Sequence, residues 1–157
     1  MVGWSDRRFL DLVGTEHPIV QAPMANVAGV ELCVAASRGG ALGSLPCGQV
    51  SVDRAREQVA DVREQVEGPV NLNFFCFEMP APVDDNRWYN VLLPYYLKFG
   101  AAEPPAAALR IPFDETYCAL IEELKPEVVS FHFGLPDERL LERVQAAGAV
   151  VIGCATT

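Results

Sequence analysis

Val70-Asn71-Leu72-Asn73-Phe74-Phe75 alternates large apolar side chains with amides. Successive side chains of a strand point to opposite faces, so Val70, Leu72 and Phe74 share one face while Asn71, Asn73 and Phe75 share the other. Val128-Val129-Ser130-Phe131-His132-Phe133 reads the same way, setting Val129, Phe131 and Phe133 against Val128, Ser130 and His132. A parallel sheet covered by helices on both sides carries near-continuous Val, Ile and Leu on both faces. Amides and an imidazole confined to one face predict that this side is wet or meets a ligand, while the other packs under helices.

Three further short apolar runs, Ile19 to Met24, Ala41 to Leu45 and Val150 to Ala155, bring the expected strands to five. Between them the apolar period becomes helical. Val30 to Ala36 is the first such stretch, and in Val52 to Val66 the residues Ala55, Val59, Val62 and Val66 fall on one stripe. Asp114 to Leu124 and Asp137 to Ala147 repeat the pattern. Ser51 and Asp114 are the expected N-caps, and Gly39, Gly40 and Gly148 the expected stops. Strands alternating with helices through short connections require parallel pairing, so the class is α/β.

A (β/α) barrel of the TIM type accounts for the unequal faces. Its outer strand faces meet the helices, and inner residues near the C-terminal strand ends line the active-site mouth. Asn73 and His132 stand near those ends and are the candidate functional residues. His17 precedes Pro18 and the first strand, at the end of a barrel that serves stability, so a structural role is expected of it. About eight strands close such a barrel. This chain supplies roughly five strand-helix units, so an incomplete barrel is expected, with open strand edges that favour self-association. Residues 1–157 read as one domain, interrupted by an excursion over 77–112 that holds six of the 12 prolines and a cluster of aromatics. A short helix is expected within it, from Arg87 to Phe99.

Composition narrows the chemistry. With 157 residues, 12 Lys and Arg against 21 Asp and Glu, and a net charge of −9, the chain lacks the clustered bases of a nucleic-acid groove. No apolar run reaches the roughly 18 residues needed to span a bilayer, so no membrane partner is expected. Five cysteines in mostly apolar surroundings, without a Cys-x-x-Cys pair, read as reduced core residues of a cytoplasmic protein and offer no activated nucleophile. Two histidines far apart in sequence give no metal-ligand spacing, so no metal is expected. The glycines of Gly39-Gly40-Ala41-Leu42-Gly43 open a strand instead of leading from one into a helix, which argues for a helix stop over a phosphate loop.

Taken in order, Gln21-Ala22-Pro23-Met24, Gly39 to Leu45, Val70 to Cys76, Val129 to Gly134 and Gly153 to Thr157 resemble nitronate monooxygenases, formerly 2-nitropropane dioxygenases, over nearly the whole chain. The resemblance implies an FMN-dependent barrel that oxidises alkyl nitronates with O2 to a carbonyl compound and nitrite. It implies that Ala22, Pro23 and Met24 contact the flavin through their backbone, that Asn73 hydrogen-bonds the ring, and that His132 lies beside it as the flavin-proximal catalytic candidate. Phe77 stands where related sequences often carry a histidine, and nothing transfers to it. The family's catalytic base and its phosphate-gripping turns fall beyond Thr157, so the chain by itself is expected to bind FMN poorly or not at all and to be weakly active or inactive. Two other readings remain: a flavin-dependent enoyl thioester reductase on the same barrel, and a non-catalytic half-barrel that docks with a partner.

Overall fold

The computed structural model describes residues 3–79, 81, 84–100 and 111–155. Helices α1 (Arg8–Val13) and α2 (Val30–Arg38) precede strand β1 (Gly43–Pro46), which passes through a 3-10 turn at Cys47–Gln49 into α3 (Val52–Arg63). The chain continues as β2 (Val70–Phe75), α4 (Asn86–Lys98), α5 (Glu115–Leu124), β3 (Val128–His132), α6 (Glu138–Ala146) and β4 (Val150–Gly153). All strand pairs are parallel, in the order β1-β2-β3-β4. The chain divides into two compact units, Met1–Phe77 with Arg110–Thr157, and Glu78–Leu109.

The expected first strand, Ile19 to Met24, shrinks to a single bridge between Val20 and Leu42. Gln21 N–H donates to Leu42 O, and Leu42 N–H donates to Ile19 O, both at 2.9 Å. The next ladder position is then taken by a side chain, because Ser44 N–H donates to Gln21 Oε1 at 2.8 Å. With that donor satisfied, the backbone after Gln21 turns away from the sheet, which has four strands among the described residues where five were expected.

Helix boundaries follow the capping chemistry. Ser51 accepts from Arg54 N–H, Asp114 from Thr116 and Tyr117 N–H, and Asp137 from Leu140 N–H, each cap contributing roughly 1 kcal/mol. Gly39 caps α2, and Gly40 and Gly148 then adopt φ of 79° and 95°, a region that favours glycine. Helix α1 carries only Leu10 and Val13 as buried positions, too few for a period to register in the sequence.

The main core lies between one sheet face and helices α2, α3, α5 and α6, as the alternation predicts. Leu45, Leu72, Phe74, Val129 and Phe131 pack there against Val59, Leu120, Ile121 and Val144. Phe113 joins them edge-on, 5.1 Å from both Phe74 and Phe131. Outside, Arg56 pairs with Glu123 and Asp53, and Arg143 with Glu115 and Glu122, lacing α3 to α5 and α5 to α6. Such exposed pairs add little stability.

In the smaller unit, helix α4 forms over Asn86–Lys98, close to the expected Arg87 to Phe99. It includes Pro94 and buries none of its residues. The rest of the expected excursion, including Pro80, Pro82, Pro104 and Pro105, lies partly outside the described residues.

Candidate active site

Along the inner sheet face the chemistry changes from the N-terminal strand ends to the C-terminal ones. At the N-terminal ends Leu42 and Val128 bury against Val13 of α1, with Phe9, Val150 and Ile152 packed around them, forming a dry floor. Above that floor Ser44, Asn71, Asn73 and Ser130 are all buried. Asn71 Nδ2 donates to Ser44 Oγ at 3.0 Å, and Asn73 Nδ2 donates to Ser130 Oγ at 3.0 Å and to Ser130 O at 3.2 Å. Asn71 Oδ1, also buried, meets no partner among the described residues.

The inner face is therefore not wet along its length. Its amides bridge neighbouring strands in the interior, and solvent begins one residue pair higher, where β3 ends in the exposed His132. The registers Asn73 with Ser130 and Phe75 with His132 put Asn73 and His132 on this same face. His132 makes no side-chain hydrogen bond to the described residues, so both ring nitrogens are available at the mouth.

Ala22, Pro23 and Met24 follow the Val20 bridge and lead into a turn in which Val27 and Ala28 N–H donate to Met24 O at 3.1 and 2.7 Å. Asn26 holds this turn with φ of 62°. The Ala22 and Met24 N–H groups face no acceptor among the described residues, and both residues are exposed. His17 sits apart from these groups, edge-on to Trp4 at 6.2 Å, with Nδ1 buried and without a partner among the described residues.

Phe133 departs from the expected alternation. Alternation sets it with Val129 and Phe131, yet its φ of 68° turns the chain out of the strand, and its ring joins Phe75 and Phe77 instead of the core under the helices. The following Gly134, with φ of 132°, completes the reversal. Sequence reasoning missed this ring and also Gln21. The Gly after Phe133 and the lone amide in an apolar run were the available signals.

Cys33, Cys47 and Cys118 are core groups as expected, Cys76 is half-buried, and Cys154 is exposed, contrary to the expectation. Burial pushes the thiol of Cys47 up to about 12 and those of Cys33 and Cys76 up to about 11, and it raises Cys118 as well. A raised thiol stays neutral until the pH climbs to its new value, so none of these is an activated nucleophile at neutral pH. Iodoacetamide at about pH 8 is expected to modify the exposed Cys154 first and to leave Cys33 and Cys47 untouched until the chain unfolds; mass mapping of the adducts checks this. Among the described residues no group of three or more His, Cys, Asp or Glu could hold a metal ion, and no helix is long and apolar enough to cross a membrane.

A family model described as nitronate monooxygenase matches residues 6–157. A nitronate monooxygenase of Paraburkholderia phytofirmans is 38% identical over 157 residues, covering 96% of this chain and 42% of its own length. A nitronate monooxygenase of Pseudomonas aeruginosa is 36% identical, covering 96% of this chain and 44% of its own length. Among solved structures, a nitroalkane oxidase from Streptomyces ansochromogenes aligns with a TM-score of 0.79 at 29% identity, over 95% of this chain and 42% of that one. FabK from Thermotoga maritima aligns with a TM-score of 0.67 at 22% identity, a likeness of fold, over 96% of this chain and 37% of that one. The chain thus spans less than half the length of the relatives it matches, and its parallel sheet with helices on the outer face is an incomplete (β/α) barrel.

Proposed function

The chain belongs to the nitronate monooxygenase family, and from that membership we propose that its sheet forms one wall of a site where an alkyl nitronate is oxidised with O2 to a carbonyl compound and nitrite. The carbon–nitrogen double bond of the nitronate gives way to a carbonyl, nitrite departs with the electron pair of the broken bond, and a second nitronate takes up the other oxygen atom of O2. FMN, when bound, supplies the electron-transfer chemistry that couples the nitronate to O2.

The residues present fit a flavin ring on three counts. The Ala22 and Met24 N–H groups are unspent donors suited to ring acceptors. Asn73 is held rigidly by Ser130, so its amide cannot swing to follow solvent. His132 closes the same face from the end of β3. In this reading His132 donates a ring N–H to the charged oxygens of the nitronate, which an imidazole can do in either protonation state. Asn73 positions the ring, and Ala22, Pro23 and Met24 bind it through the main chain. The common face of Asn73 and His132 at the C-terminal ends of parallel strands is the observation that carries the proposal, since barrel sites are built there.

The test combines this chain with a polypeptide supplying the remainder of the Paraburkholderia phytofirmans relative, then measures flavin absorbance after gel filtration and nitrite released from ethyl nitronate. The expected result is little FMN retained by the chain alone and both signals in the combination, with nitrite falling about tenfold or more in His132→Ala. Nicotinamide consumption with an enoyl thioester and no nitrite would overturn the proposal in favour of a reductase. A discrete flavin-free dimer inactive toward both would favour a docking half-barrel.

A further inference from the structure

Phenyl rings gather where β2 and β3 end. Phe75 lies 5.4 Å from Phe133 and 6.5 Å from Phe77, and Phe77 lies 6.4 Å from Phe133, all between ring centroids. His132 stands edge-on to Phe133 at 4.8 Å. From its other side Phe75 presses against Gly48, where a Cβ would come within 2.8 Å of its ring. Only a residue without a side chain lets the phenyl lie this close to the main chain.

Phe133 is both strained and exposed. Its φ of 68° is a conformation that bulky residues rarely adopt, and such strain persists where the surroundings enforce it, most often at functional sites. Phe133 is 60% exposed, so its contacts within this chain do not offset the strain by burial. Glycine would remove the strain and a polar residue would remove the exposed apolar surface. Packing within the described residues accounts for neither feature.

We propose that Phe75, Phe77 and Phe133 form the wall that receives the apolar tail of the substrate, and that Phe133 is a specificity-determining residue favouring long alkyl nitronates over short ones. This rests on the nitronate reading above. A nitronate has a charged head and a hydrocarbon tail, and the mouth offers an imidazole and a phenyl surface side by side in that arrangement. Each methylene laid on the phenyls leaves water, so affinity rises with chain length as long as the wall is intact.

The test has a binding arm and a turnover arm. In the first, 1-nitrohexane and nitroethane are titrated into the full chain while NMR follows the aromatic resonances. In the second, kcat/KM for the hexyl and ethyl nitronates is compared in the complemented enzyme. Wild type is expected to prefer the hexyl compound about tenfold in both arms, less than full burial of the added methylenes would give, since the wall is open on one side. Phe133→Gly, which suits the local φ and so keeps the fold, is expected to bring the preference below about twofold, and Phe133→Leu to retain part of it. A wild type without preference, or a preference untouched by Phe133→Gly, overturns the wall. Chain-length selection in the binding arm that collapses in Phe133→Gly, together with no nitrite from any nitronate, leaves the wall standing and removes the reaction.

Discussion

Gly43→Ala is expected to destabilise the chain by about 3 kcal/mol, while Gly68→Ala leaves stability unchanged or raises it by up to about 1 kcal/mol. A Cβ on Gly43 would sit 2.5 Å from Cys33 O, 2.6 Å from Ser37 Oγ and 2.8 Å from Cys33 Sγ. The first of these is main chain in the middle of α2, so it cannot rotate aside, and β1 and α2 would have to separate. Separation would open the contact of Leu45 with the core on the same strand face. At Gly68 a Cβ would meet nothing within 4 Å, and no positive φ penalises it. Urea unfolding of the two variants beside wild type checks the contrast. Equal stabilities would mean that α2 does not lie on β1 as closely as described.

That contrast also marks how far the sequence could be read. Gly43 was legible as part of a helix stop, and the stop is real, since Gly39 and Gly40 end α2. The close approach that fixes Gly43 itself depends on a helix crossing a strand, which no local pattern records. The alternation in Val70 to Phe75 placed Leu72 and Phe74 under the helices and Asn73 on the inner face correctly, because a parallel strand inside a sheet has no freedom to rotate. It failed at Phe133, where one positive φ ended the strand and carried the ring to the other side. It failed also at Ile19 to Met24, whose apolar content is that of a strand. There the decisive fact is a long-range hydrogen bond from Ser44 to the Gln21 side chain, 23 residues away. The shared face of Asn73 and His132 was legible, but the depth of each was not: Asn73 is only 5% exposed and His132 is exposed.

That difference in depth can be tested with a charge. Asn73→Asp replaces an amide that donates to Ser130 O and Oγ by a carboxylate that, when ionised, can donate to neither. At a position only 5% exposed, desolvation and the facing carbonyl both disfavour the ionised form, so the folded-state pKa of this acid rises above its unfolded value of about 3.9. A raised acid incurs no penalty below the unfolded pKa, because both states are then protonated and the acid O–H can take the place of the amide N–H. As the pH climbs past about 4 the unfolded chain ionises first, and the loss of stability grows until the folded group ionises too. Relative to wild type at each pH, Asn73→Asp is expected to be near neutral at about pH 3 and at least about 3 kcal/mol less stable at about pH 8. Asn73→Ala leaves the Ser130 groups without their partner and is expected to lose about 1–3 kcal/mol at every pH, so the two curves cross. A flat profile for Asn73→Asp near wild-type stability would show the carboxylate reaching water. The middle of the inner face would then be open, and Asn73 would be free to swing instead of held in place for a ring.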